Sequence, residues 1–212
     1  MISKSLLSRR ELLERCLAFG AVTLAGSLSP SLAAAVWEQH ERSMAPTPSC
    51  ELGPFYKRLA PNAVNMRHPG DPGMPLSVSG VVYNVGGEAL PDATVEVWQT
   101  DHLGHYDLKG YRYRTLLRSD VKGAYGFESV VPGHYPDRVC QHVHYLVTAP
   151  GHKPLITQLY FGTDPVFAGD PAKNYTRDPL ITSRELVRPV MLEGDPQAMH
   201  AAVRFELVLE KA

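Results

Sequence analysis

The 212 residues carry 44% hydrophobic and 20% charged side chains, the balance of an ordinary globular protein with room for one domain and a substantial core. A formal net charge of −1 with no basic stripe leaves no electrostatic footprint for nucleic acid. The 18 prolines and 17 glycines are scattered, which suits short strands and turns better than long helices.

Residues 1–35 read as a separate object. A basic start with the pair Arg9–Arg10 leads through a modestly apolar stretch, 16–28, to the small residues "SLAAA" at 31–35. This is the layout of an export signal, and "SRRELL" resembles a twin-arginine signal. The apolar run is too short to span a bilayer. The expectation is therefore a periplasmic or secreted protein with no membrane association once the signal is removed. Twin-arginine export moves proteins already folded, which suits a cofactor inserted beforehand. Cys16 lies in this segment, leaving Cys50 and Cys140, and an oxidising compartment permits a disulfide between them.

Residues 36–75 are rich in Pro, Gly and polar residues without a sustained period. They read as an irregular arm on the domain surface, anchored by Phe55 and Tyr56, and such an arm is compatible with a homo-oligomer. From Leu76 the texture changes. "LSVSGVVYNV", "TVEVWQTD", "GYRYRTLLRSD", "YGFESVV", "QHVHYLVTA" and "LITQLYFG" are strand-like and separated by Gly/Pro/Asp turns. After a loop-rich region, 162–188, "ELVRPVML" and "AAVRFELVLE" read as further strands. The fold class expected for 76–212 is all-β, an antiparallel β-sandwich with long loops. Such a sandwich does not by itself specify a function. Trp98 is expected in its core.

His142 and His144 stand two apart in a strand, so they share a face, with Val143 and Tyr145 on the other. Two neutral imidazoles so placed can turn a ring nitrogen to one metal ion, or each can simply be hydrogen-bonded. Tyr106 and Tyr135 both sit beside turns. A phenolate is a hard anionic donor that forms readily only on a strongly Lewis-acidic ion, so two phenolates with two imidazoles favour Fe(III) over Zn(II) or Mg(II). A thiolate from Cys140 ranks well below these donors.

Several stretches taken together resemble one family. "GPFY" (53–56), "VEVWQTDHLGHYD" (95–107), "SDVKGAYGFESVVPGHYPDR" (119–138), "HVHYLVTAPGH" (142–152), "LITQLYF" (155–161) and "VRFELVL" (203–209) resemble, in order, the landmarks of intradiol ring-cleavage dioxygenases. That family includes protocatechuate 3,4-dioxygenase and catechol 1,2-dioxygenase. The resemblance implies a non-haem Fe(III) held by Tyr106, Tyr135, His142 and His144. It implies a small aromatic diol and O2 as reactants and a cis,cis-muconate-type product cut between the two hydroxylated carbons. Tyr135 matches the tyrosinate that the diol displaces and that then accepts a substrate proton. Gln158 matches a glutamine near the substrate. The family's arginine lies three residues before the first histidine, where this chain has Val139, so Arg138 is the candidate to replace it.

A non-catalytic binding module on the same fold, and a copper site using the histidine pair alone, remain as alternatives. The expectation is a mature chain without the helical N-terminal extension of catechol 1,2-dioxygenases, nearer the protocatechuate-type core. Loops 56–75 and 108–118 carry substrate choice among protocatechuate, catechol, hydroxyquinol and related diols. His102, His105, His134 and His152 lie in loops near the same motifs and receive no role.

Overall fold

The computed structural model describes residues 43–136, 138–195 and 198–212. The export-signal reading of 1–35 lies outside the described residues. Among the described residues, ten strands form two five-stranded sheets that enclose a common core. In the first, β1 (Pro75–Asn84) is central and β4 (Ala124–Val130) runs antiparallel along one side. Along its other side, β9 (His200–Arg204) and β10 (Leu207–Leu209) pair parallel with successive halves of β1. β8 (Met191–Glu193) closes the sheet antiparallel to β9. The second sheet runs β3 (Arg114–Arg118), β2 (Thr94–Trp98), β5 (His142–Thr148), β6 (Leu155–Phe161) and β7 (Val187–Arg188).

The all-β sandwich is as the turn spacing predicts, but its sheets are mixed. Three pairings are parallel: β1 with β9, β1 with β10, and β6 with β7. Local turn signals mark antiparallel hairpins and carry no information about such long-range pairings. "ELVRPVML" is divided at Pro189–Val190 into β7 and β8, as a residue without an N–H divides a ladder. "AAVRFELVLE" is divided after Arg204, where the Phe205 backbone presses against β1. Gly80 is what permits that approach, since a Cβ there would stand 1.9 Å from the Phe205 carbonyl oxygen. Phe205 N–H donates to Ser79 O at 2.9 Å, and its carbonyl accepts the buried Tyr125 hydroxyl at 2.6 Å.

Strict alternation packs the core. Leu76, Val78 and Val82 of β1 point inward, as do Val95 and Val97 of β2 and Val143, Tyr145 and Val147 of β5. Each fully buried aliphatic side chain contributes about 1.5–3 kcal/mol through removal from water. Because the odd-numbered residues of β5 face this core, His142 and His144 are turned to the outer face of the second sheet.

The arm does more than lie on the surface. Between residues 44 and 50 it bonds to both sheets: Thr47 N–H donates to Val208 O at 3.1 Å, and Cys50 N–H to Ile156 O at 2.8 Å. Between 61 and 66 it does so again, Pro61 O accepting from Leu116 N–H at 3.1 Å and Met66 N–H donating to Glu128 O at 2.8 Å. The intervening residues 51–58 are stretched between these attachments as a strap across the outer face of the second sheet. Cys50 and Cys140 are free thiols, with Cys50 Sγ 3.6 Å from Thr182 Oγ1. Among the described residues, no helix is long and apolar enough to cross a membrane.

Candidate active site

Register on the second sheet sets the site. Trp98, His144 and Gln158 are direct cross-strand neighbours over β2, β5 and β6, and His142 is opposite Tyr160 in the adjoining row. These outward-facing side chains are nonetheless buried, His142 at 4% exposure and His144 at 3%, because the strap and the neighbouring loops cover them. Trp98 is correspondingly not in the inter-sheet core. It is buried on the outer face, stacked parallel on the His144 ring at 4.9 Å. Gly53 of the strap has φ +73°, and a Cβ there would come within 3.1 Å of His144 Cε1.

His142 Nδ1 lies 2.8 Å from Cys140 O; a carbonyl only accepts, so Nδ1 carries the proton and Nε2 presents a lone pair. That nitrogen is 3.1 Å from His144 Nε2 and 3.5 Å from the Tyr106 hydroxyl oxygen. The Tyr106 and Tyr135 rings meet edge to face at 5.9 Å. Phe55 of the strap stacks on Tyr106 at 4.2 Å and meets Tyr135 edge-on at 5.5 Å. Tyr106 and Tyr135, from two loops, are thus brought together with His142 and His144 of β5.

The donor set fits a metal ion. Two imidazole nitrogens about 2.0–2.1 Å from one ion in adjacent positions come to roughly 3 Å from each other, the separation found here. Burial, then the neighbouring Arg138, depresses the His142 imidazole to about 4; burial and then His142 hold His144 well below its ordinary value. Both rings are therefore neutral near pH 7, as ligands must be. Burial pushes the Tyr106 phenol up, while Arg138 and Arg114 oppose that shift. A phenolate at Tyr106 then calls for a hard, highly charged partner, which Fe(III) is and Zn(II) is not. Among the described residues no three His, Cys, Asp or Glu side chains gather as they would for a zinc or calcium site.

Arg138 reaches into the same site. A turn in which its N–H donates to Tyr135 O at 2.9 Å points the guanidinium inward. Nη2 donates to Gln158 Oε1 at 3.0 Å and to Tyr160 Oη at 2.9 Å, and Nη1 lies 3.4 Å from His142 Nε2. Gln158 is fixed from the other end by donating to Glu51 O of the strap at 2.9 Å. Asp178, 1% exposed, stands 3.6 Å from Arg138 Nη2 and accepts Cys140 N–H at 3.2 Å. Under Tyr106, the buried Arg114 donates to Phe55 O at 2.6 Å and lies 5.9 Å from the tyrosine ring.

Phe55, Arg114, Tyr160 and Asp178 are not assigned to the site by the sequence. Tyr160 could have been found, since it stands two residues after Gln158 on the same strand face. Asp178 carries no local signal.

Comparison with known proteins places the chain among dioxygenases. Residues 52–211 match the family model described as "Dioxygenase". The chain is 31% identical over 185 residues to the catechol 1,2-dioxygenase of Acinetobacter baylyi, covering 73% of this chain and 57% of that protein. The chain belongs to the intradiol dioxygenase family. Within it, the chain is 32% identical over 164 residues to catechol 1,2-dioxygenase 2 of Acinetobacter lwoffii, covering 64% of this chain and 58% of that protein. It is also 28% identical over 192 residues to the hydroxyquinol 1,2-dioxygenase of Nocardioides simplex, covering 78% and 65%. The chain thus spans 57–65% of the length of these three curated relatives. A solved family structure, the dioxygenase domain of a dioxygenase–carbohydrate-binding protein fusion from Streptomyces sp. SirexAA-E, superposes with a TM-score of 0.69 at 32% identity. That match covers 79% of this chain and 100% of the other.

Proposed function

We propose that the protein is a non-haem ferric intradiol dioxygenase that uses O2 to cleave a catechol-type diol between its two hydroxylated carbons, giving a cis,cis-muconate-type product. The observation that carries this reading is the convergence of Tyr106, Tyr135, His142 and His144 beside Arg138 and Gln158. The named activities of the curated relatives support it. The full coverage of a solved dioxygenase domain supports a catalytic unit of this size.

The four convergent side chains would hold the ion. When bound, ferric iron supplies the Lewis acidity that lets a diol bind as a dianion and primes its ring for O2. The protein supplies the rest. In this reading the Tyr135 phenolate oxygen takes up one of the diol's protons. The Arg138 guanidinium, fixed by Gln158 and Tyr160, faces the space beside His142, where it neutralises charge developing on substrate oxygen. The Gln158 carboxamide is held at both ends and presents a fixed dipole to the same space. Phe55 and Trp98 pack against Tyr106 and His144 and keep water from them.

The test is oxygen uptake with catechol, protocatechuate and hydroxyquinol, together with product identification. Stoichiometric uptake with one of them and a dicarboxylic muconate product is expected. A product opened beside only one hydroxyl, or no uptake by iron-loaded protein with any of the three, contradicts the reading. We further propose export by the twin-arginine route, supported by Arg9–Arg10 and the small residues at 31–35.

A further inference from the structure

Asp164 lies in the loop region after β6 and is 2% exposed, yet its carboxylate is fully engaged. Oδ1 accepts Val166 N–H at 2.9 Å, and Oδ2 accepts Gln141 N–H at 2.8 Å. Among the described residues, the side chain bonded to it is that of His134, whose Nε2 lies 3.2 and 3.1 Å from the two oxygens. A carboxylate only accepts, so that nitrogen carries the proton. His134 immediately precedes Tyr135, and its own side chain is 45% exposed, so solvation alone would have satisfied it. The opposite side of the same backbone is gripped as well. Thr100 Oγ1 donates to Gly133 O at 3.0 Å, and Gly133 N–H donates to Asp101 O at 2.7 Å. A Cβ on Gly104 would stand 1.9 Å from the His134 carbonyl oxygen. The chain entering Tyr135 is thus clamped between loop 100–104 and, through an imidazole, a buried carboxylate.

We propose that the His134–Asp164 pair is a positioning device for Tyr135, an inference that rests on reading Tyr135 as a ferric ligand. Tyr135 lies in a loop, without a ladder to set its direction, and its ring packs edge-on against Phe55 and Tyr106. The pair fixes where its Cα sits, so the phenol oxygen is presented to the histidines without spreading over the positions a loop allows. Asp164 also takes Gln141 N–H, one residue before His142. One carboxylate therefore sets the spacing between a tyrosine ligand and a histidine ligand across the stretch joining them. Outer partners that orient ligands in this way are worth about 10–100-fold in metal affinity.

The test compares wild type with His134→Ala, His134→Gln, Asp164→Ala and the double alanine variant. Ferric affinity is read by chelator competition, alongside the visible charge-transfer band and the melting temperature of metal-free protein. His134→Ala is expected to weaken ferric binding by about tenfold and to shift or weaken the band, while the metal-free melting temperature falls only by the few degrees that loss of one hydrogen bond to a buried carboxylate costs. His134→Gln, whose amide nitrogen reaches the same point, is expected to restore both to near wild type. Asp164→Ala is expected to weaken binding at least as much, with the double variant adding no further loss, as for residues acting through one contact. A His134→Ala protein with wild-type affinity and band overturns the inference while leaving the ligand reading intact. Equal impairment of the Ala and Gln variants overturns it too, since the donated bond is then not what matters. Wild-type protein that binds no ferric iron overturns the reading of Tyr135, and the inference with it.

Discussion

His142 shows how one hydrogen bond prepares a side chain for chemistry. Its Nδ1–H is committed to Cys140 O, so the lone pair on Nε2 is aimed at His144 and Tyr106 by a backbone contact. The Tyr106 oxygen lies 3.5 Å from that nitrogen, and its ring is held by Phe55 on one side and Arg114 on the other. Tyr106→Phe keeps that packing and removes only the donor. Oxygen uptake with catechol is expected to fall by more than the roughly 10–100-fold that loss of an outer partner costs. Uptake within tenfold of wild type would exclude Tyr106 as a ligand.

Asp71 gives a pH prediction away from the site. Burial alone would raise its carboxyl, but the His68 N–H at 2.7 Å and then the Arg112 guanidinium outweigh burial and hold it below the usual carboxylate range. A carboxyl depressed in the folded state stabilises above its unfolded value of about 4, and that contribution fades as pH falls through the folded value. The melting-temperature gap between wild type and Asp71→Asn should therefore be constant above about pH 5 and narrow below about pH 4. A gap unchanged down to pH 3 would contradict the assignment.

At the scale of elements, a strand and a strap divide the work. β5 and β6 place His142, His144, Gln158 and Tyr160 on one face by parity, and the strap buries that face. Gly53 lets the two meet, and Gly53→Ala tests the fit. The left-handed backbone at φ +73° disfavours a side chain by about 1–2 kcal/mol, and the added Cβ pushes on His144. A lower melting temperature and a displaced charge-transfer band are both expected; a variant matching wild type in both would show that the strap does not set the His144 position.

The difference between these elements also explains what the sequence revealed. Alternation of period two made the histidine pair and the sheet faces legible in "HVHYLV". Tyr106 and Tyr135 lie in loops, where no period exists, and only the motifs around them gave them away. The strap was read as surface because its backbone bonds join residues that no short-range pattern links. Asp164 and Asp178 were invisible for the same reason: the residues of the 134–141 stretch that they hold lie at least 23 positions away in sequence.

At the scale of the molecule, residues Arg42–Ala212 form one compact unit in which the arm stitches the two sheets together and so covers the site as a by-product of holding the fold. The proposed export signal precedes that unit. Replacing Arg9 and Arg10 together by lysine should leave the protein in the cytoplasm, measured by fractionation, and unchanged export would contradict a twin-arginine route. The proposed function requires this unit to hold ferric iron through tyrosinate. Its most direct test is the visible absorption spectrum of purified protein, with iron counted in the same sample and catechol then added without oxygen. A broad tyrosinate-to-iron band with about one iron per chain, shifting on catechol addition, is the result expected for four ligands around one ion. Protein that stays colourless after ferric reconstitution would contradict the account at its centre.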